Sequence, residues 1–340
     1  MDHKIFKQYP PAPGTVVERG DASAEPLDGK VVAVIGFGTM GRAHAGNLKR
    51  SGIPVVVGSR TGSKTGLQAV EQGFEVLPVG EAVAAGDVVM LMLPDEAMAA
   101  VYEADVAPNL RPAAALGFAH GFAVAFGQIA PDPGRACFLV APKAQGDLLA
   151  AAHAAGSGVP GLLAVTAEAP DATWDLAAAY ALAVGCLTGG GFVTTFRAEC
   201  VSDQFGEQAV LCGGVIELLK AAFDVMVEAG YDETNAYFEC VHELKLITDL
   251  LHRHGIDGLR GRISGTAAYG GLTRGPRIID DRVRANMRRI LTEIETGAFA
   301  EEFLAHHERT EDLARDEAQG PLARTGRSVR PRLHPPGSGD

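Results

Sequence analysis

Residues 31–41 constrain the fold more than any other stretch. Val31-Val32-Ala33-Val34-Ile35 is an unbroken apolar run, which suits a central parallel strand covered on both faces. Gly36-Phe37-Gly38-Thr39-Met40-Gly41 follows directly, and Ala43 to Ser51 has helix-forming composition. Strand, glycine turn and helix is the setting that gives Gly-x-Gly-x-x-Gly its meaning: the glycines allow a tight turn and bring a pyrophosphate close to the helix N-terminus. Gly36, Phe37, Gly38, Thr39, Met40 and Gly41 are therefore candidate dinucleotide contacts. The next apolar run, Ile53 to Gly58, ends in Ser59-Arg60-Thr61-Gly62-Ser63-Lys64-Thr65. An NAD-selective fold usually has Asp or Glu at this strand end to hold the ribose 2′-hydroxyl. Here Arg60, Lys64 and the hydroxyls of Ser63 and Thr65 suit a 2′-phosphate, which favours NADP; the alternative is a solvated polar turn.

Apolar strands then alternate with helical stretches: Phe74 to Pro78, Asp87 to Leu93, Ala114 to Ala119, Ala136 to Ala141 and Gly161 to Val165. The pattern predicts a doubly wound, Rossmann-like parallel sheet, an α/β domain. Such sheets bind ligands at their carboxyl ends. Asp95, His120 and Lys143 fall there, although a lone His is more often structural than catalytic. Residues 167–185 read as an Ala-rich helix carrying Trp174, and from Ala198 to about His307 the pattern is almost all helical. The expected division is an irregular arm at 1–29, a nucleotide domain at 30–196, an all-α domain at 197–308 and a disordered tail at 309–340.

Two pairs of carboxylates stand out in the helical half. Asp203 and Glu207 are four residues apart, as are Glu239 and Glu243, so on helices each pair projects from one face. Both lie in mostly apolar segments, where a carboxylate must stay wet, find a partner or hold a cation. Taken alone, Glu at this spacing is common on solvated helix faces. If the pairs bind metal, four oxygen donors without Cys suit a hard ion, Mg²⁺ first, and two such ions balance four negative charges.

The chain has 340 residues, 47% of them hydrophobic, enough for about two domains with real cores. A net charge of -12 argues against nucleic acid as partner, since binding phosphates needs a basic face. The densest apolar run, Val88 to Leu93, is too short to span a bilayer. The N-terminus has no apolar segment after its charges, so no signal peptide is visible. Five cysteines without a Cys-x-x-Cys cannot all pair and fit a reducing cytoplasm.

Several longer motifs together resemble the class I ketol-acid reductoisomerases (acetohydroxyacid isomeroreductases), with similarity from about Lys30 to Glu302. They are Phe-Ala-His-Gly-Phe (118–122), Val-Ala-Pro-Lys (140–143), Asp-Gln-Phe-Gly-Glu-Gln-Ala-Val-Leu-Cys-Gly-Gly (203–214) and Ala-Tyr-Phe-Glu-Cys-Val-His-Glu-Leu-Lys-Leu-Ile (236–247). Ile-Ser-Gly-Thr-Ala-Ala-Tyr-Gly (263–270) and Gly-Pro-Arg (275–277) complete the pattern. The resemblance implies a knotted all-α C-terminal domain. It also implies Mg²⁺-dependent alkyl migration in a 2-hydroxy-2-alkyl-3-oxo acid, then NADPH reduction to a 2,3-dihydroxy acid, as in valine and isoleucine biosynthesis. Asp203, Glu207, Glu239 and Glu243 match the family's ligands for two Mg²⁺ ions, the second pair coming from the other subunit of a homodimer. His120 and Lys143 match its catalytic positions, Ser264 its contact to the substrate carboxylate, and Asp95, Glu96, Ala97, Met98 and Gly146 its further cofactor contacts.

Departures cluster around the cofactor and substrate. The family's Tyr-Gly-Ser-Gln-Gly-His is Phe37 to Arg42 here, and its Asp-Glu-Val-Gln is Asp95-Glu96-Ala97-Met98. Two amide side chains have thus become Met. The family's Gly-Pro-Gly-His-Leu-Val-Arg-Arg-Glu is Ala144-Gln145-Gly146-Asp147-Leu148-Leu149-Ala150-Ala151-Ala152, and Ala123, Ala125, Gly265 and Ala268 replace a usual Asn, His, Asn and Glu. An ordinary branched-chain enzyme that has drifted and a specialised paralogue acting on another 2-hydroxy-3-oxo acid are both open on these residues. A catalytically idle relative and a plain NADP-dependent 3-hydroxyacid dehydrogenase are the remaining alternatives; the last gives no reason for four placed carboxylates.

Overall fold

A computed structural model describes Phe6 and residues 8–333, and the chain divides into two compact units after Ser202. Expectations that fall on residues 1–5, 7 and 334–340 lie outside the described residues. The first unit is built on one sheet of strands β1 (Val16–Val17), β2 (Val32–Ile35), β3 (Val55–Gly58), β4 (Glu75–Leu77), β5 (Val88–Leu91), β6 (Ala115–Phe118), β7 (Cys137–Pro142), β8 (Gly161–Val165) and β9 (Gly191–Val193). Their order is β1-β9-β8-β7-β6-β5-β2-β3-β4. The helices of this unit are α1 (Thr39–Arg50), α2 (Lys64–Glu71), α3 (Val79–Ala85), α4 (Asp95–Val101), α5 (Phe122–Ala125), α6 (Gly146–Ala154) and α7 (Ala172–Val184).

Strands β2 to β7 run parallel, and the apolar runs follow from what covers them. Successive side chains of a strand point to opposite faces. Val32 and Val34 enter one core cluster and Ala33 and Ile35 the other; β5 divides Val88 and Met90 from Val89 and Leu91 in the same way. Both faces being dry, neither strand shows alternation. The strand order reverses between β2 and β5, so the crevice at a topological switch point opens beside the glycine turn.

The all-parallel expectation needs correction at one edge. β8 pairs antiparallel with β7, and β1 antiparallel with β9. A strand buried on both faces has the same composition in either direction, so an apolar run carries no polarity. The arm at 1–29 is not wholly irregular: β1 extends the sheet, Leu27 is buried, and the Tyr9 hydroxyl donates to Asp175 Oδ1 at 2.7 Å.

Helix α1 is tied to α7 by polar groups the apolar pattern hides. His44 is fully buried, with Nδ1 2.9 Å from the Tyr180 hydroxyl, and Asn47 donates to the Val184 carbonyl at 2.8 Å. Nε2 of His44 has no partner among the described residues.

The second unit is helical throughout. It continues α8 (Phe196–Gly206) from Asp203 on, then contains α9 (Gly214–Glu228), α10 (Glu233–Tyr237), α11 (Leu244–Arg260), α12 (Gly265–Ile278), α13 (Asp281–Thr296), α14 (Ala298–His306), α15 (Arg309–Ala318) and α16 (Pro321–Leu333). The disordered tail expected at 309–340 is thus corrected over its described part, residues 309–333. Leu322, Val329 and Leu333 form a sparse apolar stripe on α16, masked in sequence by Arg and Pro. Val329 packs with Phe223, Ala236 and Tyr237, and Thr325 donates to Glu233 Oε2 at 2.8 Å. No helix among the described residues is long and apolar enough to cross a membrane.

Burial pushes the His44 imidazole down to about 3. The folded chain keeps it neutral while the unfolded chain binds a proton near 6.5. Stability is therefore intact above that value and falls as pH drops towards 3, by at most about 1.4 kcal/mol per pH unit. His44→Leu should flatten this dependence, measured as the slope of denaturant-derived stability between roughly pH 4 and 6. An unchanged slope would contradict the assignment.

Candidate active site

The carboxyl edge of the first unit converges on one buried carboxylate. Glu199 lies in the first turn of α8 with its side chain only 1% exposed. Its Oε2 accepts the Gly121 backbone N–H at 2.8 Å and lies 3.3 Å from His120 Nδ1, while its Oε1 accepts from Lys143 Nζ at 3.2 Å. His120 and Gly121 follow β6, and Lys143 follows β7, so three segments remote in sequence meet here. Gly121 allows the approach, because a Cβ there would lie 2.3 Å from the Phe196 carbonyl oxygen. Asp95, opening α4, has Oδ2 4.0 Å from His120 Nε2.

The charges set one another. Burial alone favours neutral His120, but hydrogen bonds with Cys200 and Glu199 and the charges of Glu199 and Asp95 push it up to about 11. Burial likewise works to raise Glu199, and contact with His120, the charge of Lys143 and the Gly121 N–H together hold it below the usual carboxylate range. The surroundings thus favour the imidazolium form of His120, and one carboxylate faces both its ring and the Lys143 Nζ. Glu199 was missed as a site residue. Its signal was the spacing of four that extends Asp203 and Glu207 back by one turn.

The glycine turn fits a dinucleotide. Gly36 has φ +97°, and a Cβ on Gly41 would lie 2.3 Å from the Gly36 carbonyl oxygen, so the turn is tight. Gly38, the N-cap of α1, has open space where its Cβ would be, and no side chain caps the helix. Phe37 is buried against Phe74, Thr39 is exposed, and Met40 packs partly against the core. Met98 is 4% exposed within the opposite core cluster, so it offers the cleft no side chain. Asp95, Glu96 and Ala97 form the first turn of α4 beside it. At the end of β3, Arg60 is exposed and Thr65 half-buried, whereas Ser63 caps α2 through Gly66 and shares a hydrogen bond with Ser59. Gly146 opens α6 against Thr39.

In the second unit each acidic pair is built around a π-helical turn. Glu207 opens the turn Glu207–Leu211, one turn after Asp203; Glu239 lies inside the turn Phe238–His242, which Glu243 ends. Such turns are rare and recur at functional sites. Glu207, Glu239 and Glu243 are exposed and Asp203 is half-buried. Among the described residues these four do not form a single group of converging ligands within one chain. Ser264 caps α12, its Oγ accepting the Ala267 N–H at 3.2 Å while the side chain remains exposed.

Residues 26–190 match the family described as acetohydroxy acid isomeroreductase, NADPH-binding domain, and residues 196–334 match ketol-acid reductoisomerase, C-terminal domain. The chain belongs to the ketol-acid reductoisomerase family. A solved NADH-preferring ketol-acid reductoisomerase from an uncultured archean is 39% identical, with a TM-score of 0.89 over 93% of this chain and 98% of that one. A putative oxidoreductase from Jannaschia sp. CCS1 shares the fold at 17% identity and a TM-score of 0.59, over 78% of this chain and 98% of that one. A semialdehyde dehydrogenase NAD-binding protein from Cupriavidus necator does so at 20% and 0.58, over 77% and 99%. The reductoisomerase is an NAD(P)-dependent oxidoreductase and isomerase, and its matched C-terminal domain sets aside a plain 3-hydroxyacid dehydrogenase.

Glu199→Gln keeps the shape of the node and removes its charge. The turnover number should fall by roughly 10²-fold or more, the scale of losing a positioned acid or base, with a smaller change in substrate KM. Steady-state kinetics on the folded variant checks this. An undiminished turnover would contradict the role given to Glu199.

Proposed function

We propose that this chain is a Mg²⁺-dependent ketol-acid reductoisomerase that prefers NADPH, converts 2-acetolactate or 2-aceto-2-hydroxybutanoate to the 2,3-dihydroxy acid, and works as a homodimer. The observation that carries the reading is the combination in one chain of a glycine cradle, His120 and Lys143 at the carboxyl edge of the same sheet, and four oxygen donors on π-bulged helices. Oxygen-only donors suit Mg²⁺. When bound, Mg²⁺ lends Lewis acidity to the hydroxyl and carbonyl oxygens, and NADPH supplies the hydride.

The chain's own groups do the rest. Asp203 and Glu207 hold the metals from one subunit, and Glu239 and Glu243 from the other. Lys143 places an ammonium, fixed by Glu199, where an anionic substrate needs compensating charge. With Nδ1 turned to Glu199 and Nε2 4.0 Å from Asp95 Oδ2, the His120 imidazolium is the acid that would serve an oxygen gaining negative charge. Ser264 Oγ accepts from the Ala267 N–H and lies 3.0 Å from Thr266 Oγ1; with the Thr266 hydroxyl as donor in that pair, the Ser264 hydrogen turns to the substrate carboxylate. What supports the dimer is apolar surface on the second unit: Leu211, Val225, Leu246, Ile256, Tyr269 and Leu272 are exposed in the single chain, beside a small core. Faces of this kind belong in an interface.

Nicotinamide oxidation followed with 2-acetolactate, with and without Mg²⁺, is the primary test. Turnover should require Mg²⁺, and Asp203→Asn and Glu239→Gln should each abolish it. Reassembling the two inactive variants together should restore about a quarter of the activity, since half of the dimers are then mixed and each has one intact shared site. Metal-independent turnover, or no recovery on mixing, sinks this arrangement. No turnover by folded, nucleotide-bound enzyme would instead favour a paralogue with a different 2-hydroxy-3-oxo acid.

NADPH preference rests on Arg60 and the lack of a carboxylate at the end of β3. Arg60→Glu should move the ratio of NADPH to NADH dissociation constants by roughly tenfold or more towards NADH. Equal binding of both cofactors before and after the change would contradict it.

A further inference from the structure

The first turns of α1 and α6 lie side by side at the carboxyl edge of the sheet. A Cβ on Gly146 would sit 2.5 Å from the Thr39 carbonyl oxygen. Across this contact Arg42 donates from Nη2 to Oδ1 of Asp147 at 2.8 Å. The pair contributes little to holding the fold: the Arg42 side chain is 36% exposed and that of Asp147 80%, and exposed ion pairs stabilise weakly.

Position gives the pair another use. Arg42 lies one turn into α1, and helical side chains lean back towards the N-terminus, which carries the guanidinium towards the glycine turn. The bond to Asp147 uses one of its five N–H donors. A planar fork with donors to spare suits a phosphate. Asp147 is in the first turn of α6, where the helix N-terminus favours a negative charge, so it is a fixed station for the guanidinium.

We propose that Arg42 is a pyrophosphate-binding residue of the cofactor cleft and that Asp147 is the residue that positions it. The proposal rests on residues 36–41 being the pyrophosphate cradle. It assigns Arg42 to the part common to both nicotinamide cofactors, separate from the 2′-phosphate position at Arg60. The pair also gives a role to two positions, 42 and 147, where this chain departs from the family it resembles.

The test is titration of the purified, metal-free protein with NADPH, NADH and ADP-ribose, followed by protein fluorescence or calorimetry. Arg42→Ala should weaken all three by a similar factor, on the order of tenfold, and Arg42→Lys should recover part of the loss. Asp147→Asn should weaken all three by a smaller, several-fold factor, and the melting temperature of the nucleotide-free protein should scarcely move in any variant. Unchanged dissociation constants accompanied by a lower melting temperature would make the pair a structural strut and overturn the proposal. A loss confined to NADPH would overturn it in favour of a 2′-phosphate contact, and tighter binding by Asp147→Asn would show that the carboxylate competes with the ligand. If the unaltered protein binds none of the three nucleotides, the cradle reading itself fails; if it binds them and Arg42→Ala makes no difference, only the present proposal fails.

Discussion

A carboxylate that is 1% exposed cannot remain charged without partners, and Glu199 is such a carboxylate. The requirement organises the carboxyl edge of the first unit. It draws His120 from the end of β6, Lys143 from the end of β7 and a backbone N–H from Gly121 to one point. The arrangement reverses the usual effect of burial on His120, because hydrogen bonds with Cys200 and Glu199, together with the charges of Glu199 and Asp95, outweigh desolvation. Structure and chemistry are served by one interaction: the ion contacts that make Glu199 tolerable also fix two cationic donors at the edge where ligands bind.

The sheet explains why that edge is available. Helices α1 and α4 begin on either side of the switch point between β2 and β5, and the glycine turn leaves the first N–H groups of α1 without a side-chain cap. The same edge therefore presents donors suited to a pyrophosphate and, at His120 and Lys143, positive charge suited to an acid. Met40 and Met98 fit this picture. They replace amides of the resembled family, yet both turn towards the core, which leaves a cradle made of backbone.

Sequence reasoning reached the parts whose cause is local. The run from Val31 to Ile35 is continuous because both faces of β2 are dry, and the glycine turn must follow it for the helix to start where it does. It could not reach what depends on a distant partner. The direction of β8 is invisible because an apolar run has no polarity, and α16 is hidden because its buried residues are sparse among Arg and Pro. Glu199 reads as an ordinary helical Glu until Gly121, 78 residues away, admits it to a buried position. The acidic pairs were visible from their spacing of four, but the π-helical turns were not, since that spacing fits an α-helix equally well.

The central claim is that Glu199 keeps His120 protonated throughout the neutral range. Its most direct test is the NMR titration of the His120 ring, labelled with ¹³C at Cε1 and assigned by comparison with a His120→Gln sample. The account predicts a shift at the imidazolium position that stays flat from roughly pH 6 to 9, well above the ordinary histidine midpoint. A titration centred near the ordinary value would contradict it, and would mean that the buried carboxylate does not govern the site.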